Sequence, residues 1–173
     1  AYRAKEWKPK DQWLTGASLL YRLQDFNVQY RLDYLNEDIF VPGALNPNNY
    51  RAKDQDYITQ RFTHQAQIEW RLNYNLRINA AASYQDYKRK TETYIVDLVE
   101  NTKTASADAG EWDVSTFKTI FFRGTAQWAP SEKISFQPGI EIKSDRTTGQ
   151  RIEGKPMIDD YSFFLSSEIK PVA

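Results

Sequence analysis

From Tyr57 to Arg71 the chain splits into two sets of side chains by parity. The even positions read Ile58, Gln60, Phe62, His64, Ala66, Ile68, Trp70 and Leu72. The odd positions read Tyr57, Thr59, Arg61, Thr63, Gln65, Gln67, Glu69 and Arg71. One set is mostly apolar and the other almost wholly polar. Only an extended strand sends alternate side chains to opposite faces. A helix would scatter this apolar set around its whole circumference. After Asn73-Tyr74-Asn75 the pattern resumes, with Leu76, Ile78, Ala80, Ala82 and Tyr84 against Arg77, Asn79, Ser83 and Gln85. Facing residues of an antiparallel pair share a side of the sheet, so even Leu72 opposite even Leu76 requires an odd loop. Residues 57–87 therefore read as one long hairpin closed by a three-residue turn. Asn75 is the residue expected to take the left-handed conformation.

The same reading extends along the chain. Residues 1–8, with Tyr2, Glu6 and Trp7, form a possible first strand. Strands are expected from Trp13 to Leu23 and from Phe26 to Tyr34, joined by a two-residue turn at Gln24-Asp25. A connection rich in Pro, Gly and Asn follows from Val41 to Asp56. The second hairpin strand extends past Lys90 into Thr93-Tyr94-Ile95-Val96, and a polar loop runs from Asn101 to Asp113. Phe117–Trp128 and Ile134–Ile142 make another pair, turning at 129–133, with Pro138 marking a bulge or frayed ladder. Phe117 and Phe121 fall on the polar face and break the pattern. A third long loop, 144–159, leads to a last strand from Tyr161 to Ile169. Short and long connections alternate, so all tight turns lie at one end of the sheet and all long loops at the other.

Two architectures produce this alternation: a membrane barrel with its apolar face outward, and a soluble lipocalin-like barrel with that face enclosed. The strands span about 11–15 residues, beyond the five or six usual in globular domains and enough for a tilted membrane strand. Trp70 and Trp128 sit on the apolar face beside the tight turns, where an interfacial aromatic girdle belongs. The reading is all-β: an antiparallel up-and-down transmembrane β-barrel with about seven or eight strands present, residues 1–173 forming a single segment. A mean hydropathy of -0.72 does not oppose this, because only alternate residues face lipid.

Composition narrows the functional classes. Lys plus Arg and Asp plus Glu number 23 each, so no global field attracts nucleic acid. Cysteine is absent, which excludes a disulfide scaffold and thiolate metal sites. Phosphate-binding glycine loops and nucleophile elbows are missing. His64, the one histidine, has no neighbouring Ser/Asp or His pair and reads as a packing or interfacial residue. Asp54, Asp56, Asp159 and Asp160 read as solvated loop charge without the EF-hand spacing of calcium ligands. No catalytic residue, metal or cofactor is expected. Arg61, Arg77 and Arg123, on the polar faces, are the candidate ligand-binding residues, because guanidinium groups pair well with anions. The alternative is simple solvation with Glu69 and Glu141 as counter-charges.

Three stretches carry a family resemblance: Tyr30-Arg31-Leu32-Asp33-Tyr34-Leu35-Asn36-Glu37, Ala82-Ser83-Tyr84-Gln85-Asp86-Tyr87 and Asp160–Pro171. From Trp13 to Ala173 the chain resembles the barrel of TonB-dependent outer-membrane receptors, especially Bacteroidetes-like sequences. The resemblance implies a segment of a 22-stranded barrel in the bacterial outer membrane. The whole receptor would import a ferric siderophore, haem, cobalamin or glycan. Its partners would be outer-membrane lipid, a plug domain, the remaining strands and the TonB complex. No signal peptide, plug, TonB box or closing strand is expected within these residues. On this reading the three arginines meet an anionic ligand or brace the plug. A stand-alone eight-stranded outer-membrane barrel, structural or lipid-modifying, and the soluble binding barrel remain as rivals.

Overall fold

The computed structural model describes residues 8–150, 152–154 and 156–170. The possible strand at the N-terminus lies almost wholly outside them. Eight strands form: β1 (Lys10–Arg22), β2 (Phe26–Val41), β3 (Arg51–Asn73), β4 (Leu76–Asp97), β5 (Thr102–Ala105), β6 (Asp113–Ser131), β7 (Ile134–Thr148) and β8 (Met157–Ile169). They make one antiparallel sheet in the order β1-β2-β3-β4-β6-β7-β8, with β5 adding a short ladder to the end of β4. Each long strand pairs with its sequence neighbours, as hairpin connections require.

No ladder joins β1 to β8 among the described residues, so the sheet has two free edges. Among the described residues a barrel of eight strands closed by this chain alone does not form. Nor does the soluble alternative with an enclosed apolar set. Leu35 and Ala52 are the buried hydrophobic residues among those described, while Phe62, Trp70, Ile120 and Phe163 are 43%, 45%, 49% and 84% exposed. The sheet is a wall with two accessible faces, not a layer over a core.

Register assembles the apolar positions into one surface. Rows such as Val28–Ile68–Ala80–Gly124–Ile140–Phe163 and Tyr30–Ala66–Ala82–Phe122–Ile142–Tyr161 cross the sheet on a single face. The edge of this band does not follow the hydrogen-bond rows. The row through Trp13 runs Asn36, Gln60, Lys88, Thr116 and Thr148. On β7, however, the apolar set ends at Ile142, six residues from Thr148. The band thus slides about one residue per strand. With a rise of about 3.3 Å per residue and a spacing of about 4.8 Å between strands, this corresponds to a tilt of about 35–40°. Membrane barrels tilt their strands by about 35–45°. From Leu72 to Phe62 the band covers about 33 Å along β3, or about 25 Å of height at that tilt, the height of a barrel's lipid-facing band.

Aromatic rings edge this band. At the short-turn end Phe26 meets Trp70 edge-on at 6.0 Å and Trp128 stacks on Phe136 at 6.0 Å. At the other end Trp13, Tyr34 and Phe62 form a chain at 5.4 and 4.4 Å.

Several local expectations are corrected. The hairpin keeps the expected register from Trp70↔Ile78 to Arg71↔Arg77, but a bulge then pairs Asn73 with Leu76 and leaves Leu72 extra. The turn is Tyr74-Asn75, and Asn73 Oδ1 accepts the Asn75 amide at 2.9 Å. That side-chain bond does the work expected of a left-handed Asn75. Positive φ falls instead on Tyr50, Asn101, Gly110 and Gly154, all in long connections. Trp128 pairs with Phe136 rather than Ile134, because a second bulge carries β6 to Ser131 and shortens the turn to two residues. Opposite β6, pairing lapses between Gly139 and Phe136, around Pro138, which has no amide to donate.

The first and third long loops shrink to 42–50 and 149–156, since β3 starts at Arg51 and β7 ends at Thr148, while the middle connection, 98–112, is interrupted by the short β5. Asp54 and Asp56 therefore lie in β3, and Asp159 and Asp160 in β8, not in loops. Alternation had vanished there because both faces are polar beyond the apolar band, while the ladder continues regardless.

Gly139 sits directly opposite Phe164, and a Cβ built on it would lie 2.2 Å from that ring. The ring covers the glycine, as an aromatic rescues a strand glycine. Gly139→Ala is expected to lower folding stability by about 1–3 kcal/mol, the cost of overpacking, measured by denaturant titration in detergent or lipid. Gly110→Ala, where nothing lies within 4 Å, provides the strain-only comparison at a positive φ.

Candidate functional site

The polar face of the wall and the long-loop end hold the candidate groups. Odd residues of β2, β3, β4, β6 and β7 share the polar face with even residues of β1 and β8, as the register requires. The three arginines fall on it, at three heights. Arg77 lies opposite Arg71 and Gln127 near the tight turns. Arg123 stands two rows up on the same face, between Ala81 and Glu141. Arg61, between Leu35 and Tyr87, is much nearer the long loops. The Arg61 and Arg123 rows are about 20 Å apart along the strands, so the three do not converge on one ligand.

Arg123 is the best placed of them. Its guanidinium lies 5.0 Å from the Phe164 ring centroid, a cation–π contact. Its Nη1 is 3.9 Å from Glu141 Oε2, a loose, half-exposed pair of small energetic weight. A shallow hollow of about 350 Å³ beside it is lined by Gln67, Glu69, Asn79, Thr125 and Gln137. Amides, a hydroxyl, one guanidinium and the Glu69 carboxylate can bind a polyhydroxylated group there. Arg61 and Arg77 have no ion pair among the described residues, and Arg77 faces Arg71 directly, a like-charge contact across the ladder. Arg31 is committed to Asp33 by two bonds of 2.8 and 3.0 Å.

His64 lies on the apolar face. Tyr30 Oη is 2.7 Å from its Nδ1, and its ring lies between those of Tyr30 and Tyr84 at 6.2 and 6.0 Å. Both neighbours are phenols, so the geometry is that of a packed aromatic belt rather than an acid–base pair.

At the long-loop end the connections fold back on the strands. Gly43 donates its amide to Asp54 Oδ1 at 3.0 Å, and a Cβ there would lie 1.9 Å from the Lys53 carbonyl. Only glycine allows that approach. Arg51 donates to Asp97 at 2.9 Å, and Asp97 also accepts the amides of Val99 and Glu100. The loop 98–112 is strapped down by Lys53, which reaches Asp108 at 2.8 Å and Glu111 at 2.6 Å. Ser106 donates to Glu111, and Trp112 Nε1 donates to the Ser106 carbonyl at 2.9 Å. A cleft of about 520 Å³ opens beside the strap, lined by Lys90, Thr91, Trp112, Asp113, Thr148 and Gln150. The sequence offered no periodic signal for this strap. Its contacts join residues more than fifty positions apart. Among the described residues no cluster of His, Cys, Asp and Glu is arranged to hold a metal.

The strap's charges are tuned by these bonds. Hydrogen bonds from Lys53 and then Ser106 hold the Glu111 carboxyl below its usual range, while Asp108 and then Glu111 raise the Lys53 ammonium. Backbone amides, that of Glu100 foremost, and Arg51 lower Asp97. A lowered carboxylate stabilises the folded strap above the unfolded value near 4.5, and that contribution disappears as pH falls through the folded value. A raised ammonium contributes below about 10.5 and loses this as pH rises through the folded value. Amide exchange protection across 98–112, corrected for intrinsic rates, is therefore expected to hold across neutral pH and to collapse below about pH 4.5. Lys53→Ala is expected to abolish the plateau, while β3 and β4 stay protected.

Solved structures similar in fold include two proteins that each cover nearly the whole of this chain. One is the copper transporter OprC, with a TM-score of 0.67 and 11% identity, covering 99% of this chain and 30% of that one. The other is BauA, the ferric preacinetobactin receptor from Acinetobacter baumannii, with a TM-score of 0.51 and 8% identity, covering 99% of this chain and 31% of that one. The chain thus spans under a third of the length of each, and at these identities the likeness concerns the fold. No protein-family model matches the chain, and no curated protein does.

Proposed function

We propose that this chain is a wall segment of a TonB-dependent transporter in the bacterial outer membrane, with its apolar face toward lipid and its polar face toward a central lumen. The observation that carries the proposal is the tilted apolar band: one face, about 25 Å high, edged by aromatic rings and inclined to the strands by about 35–40°. Alternating tight turns and long loops support it, as does the fold shared with a copper transporter and a ferric preacinetobactin receptor. The free edges at β1 and β8 are where further strands of a larger barrel, of the 22-stranded kind, would continue the ladder.

On this reading the segment performs no chemistry. It is not an enzyme, and its contribution is a hydrogen-bonded wall that presents polar groups to the lumen. A plug domain would fill that lumen, and the TonB complex would supply the energy. The ligand class is a scarce small molecule or glycan, such as a ferric siderophore, haem or cobalamin. Arg123 beside its polar hollow is the residue best placed to meet the ligand or the plug, while Arg61 and Arg77 act at other heights.

Two measurements test the proposal. Ile68→Arg, at mid-band, is expected to weaken folding into phospholipid vesicles by about 2–4 kcal/mol, whereas Gln67→Arg, on the other face, changes it by less than about 1 kcal/mol. Equal effects would contradict the assignment of faces. In cells producing the whole receptor, uptake of the cognate ligand is expected to stop when an uncoupler collapses the inner-membrane proton gradient, with binding unaffected. Uptake that persists would rule out TonB-dependent transport.

A further inference from the structure

Just past the apolar band, on its own face, the wall changes from aromatic to cationic. On β1–β3 the band ends at Trp13, Tyr34 and Phe62, which touch one another. On β4, β6 and β7 it ends at Tyr84, Ile120 and Ile142; Lys118 is the next position on that face, and Lys88 and Arg146 follow one position beyond Asp86 and Ser144. Lys118 and Arg146 are directly opposed in the ladder. Lys88 lies diagonally from Lys118, because the ladder pairs Asp86 with Lys118 and Lys88 with Thr116. All three side chains are exposed.

Like charges directly opposed across a ladder destabilise it unless something neutral or anionic lies between them. Within the chain the compensation is partial. Asp86 takes one side of Lys118 at 3.1 Å, Lys90 is committed to Glu92, and Asp159 opposes Ser144 on β8. Lys88 and Arg146 have no ion pair among the described residues. The cluster stands about 5–10 Å beyond the band's edge along the membrane normal, the depth of the polar headgroup layer of a bilayer. Long cationic side chains at that level extend their charge into the headgroups.

We propose that Lys88, Lys118 and Arg146 bind a phosphate-bearing headgroup of a lipid in the surrounding leaflet. The inference rests on the membrane-wall reading and adds a lipid site to it. A phosphate placed between Lys118 and Arg146 replaces their repulsion with two charge-assisted hydrogen bonds, and Lys88 is positioned to add a third. The acyl chains of the same lipid would lie along Ile120, Phe122 and Ile142 below.

The test uses the full-length protein that contains this segment, purified from membranes and placed in phosphatidylcholine bilayers doped with lipid A or with dephosphorylated lipid A. Lipid retained through size-exclusion is quantified by mass spectrometry. The wild type is expected to retain lipid A about tenfold more than its dephosphorylated form. The charge reversal K118E with R146E is expected to bring retention down to the dephosphorylated level. K133E with K170E, at the short-turn end, should leave it unchanged. Millimolar inorganic phosphate is not expected to displace the lipid. The proposal is overturned if the wild type holds both lipids equally, if the charge reversal changes nothing, or if inorganic phosphate strips the lipid. Membrane fractionation separates the two levels. Wild type recovered in the outer membrane without lipid preference overturns the site alone, whereas wild type absent from that fraction overturns the membrane-wall reading together with the site.

Discussion

Backbone hydrogen bonding between neighbouring strands carries this fold, because almost no side chain is buried by another layer of protein. Two hydrophobic residues are buried among those described, against a row of large apolar side chains left open. In a soluble domain such a sheet would need a second layer to cover it. Here every long strand except the two edges is paired on both sides, which is the condition for backbone in hydrocarbon, where no water satisfies an unpaired amide. The side chains then only have to suit their surroundings, apolar on one face and polar on the other.

That division explains what was legible in the sequence. Between Phe26 and Tyr34, or Ile58 and Leu72, the two faces meet different surroundings, and parity alone identifies strand, face and register. Past the band both faces are polar, so the contrast disappears while the ladder continues. Arg51–Asp56 looked like loop for this reason, and its pairing with Asp97 through Glu92 is visible only in the structure. The turns failed differently. Bulges at Leu72 and after Trp128 change the loop length by shifting one residue, and parity read from the strands' middles cannot register a slip confined to their ends.

The candidate site was legible as a face but not as a place. Arg61, Arg77 and Arg123 are all on the polar side, as their parity dictates, yet they stand at separate heights. Phe164, which gives Arg123 its cation–π contact and covers Gly139, lies on β8, two strands after Arg123 in the chain, and carried no signal of its own. The two phenylalanines that broke the pattern, Phe117 and Phe121, are on the same polar face beside Tyr87 and Lys143. An all-polar wall would bind water on every side. A wall with aromatic rings among its charges can also hold an apolar or planar group.

The division of faces can be read directly by site-directed spin labelling. The chain has no cysteine, so a single cysteine introduced in turn at positions 65 to 70 carries a unique label in lipid bilayers. The account predicts that accessibility to dissolved oxygen peaks at 66, 68 and 70 while accessibility to a water-soluble nickel chelate peaks at 65, 67 and 69. Oxygen maxima at the odd positions, or water exposure without a period of two, would contradict it.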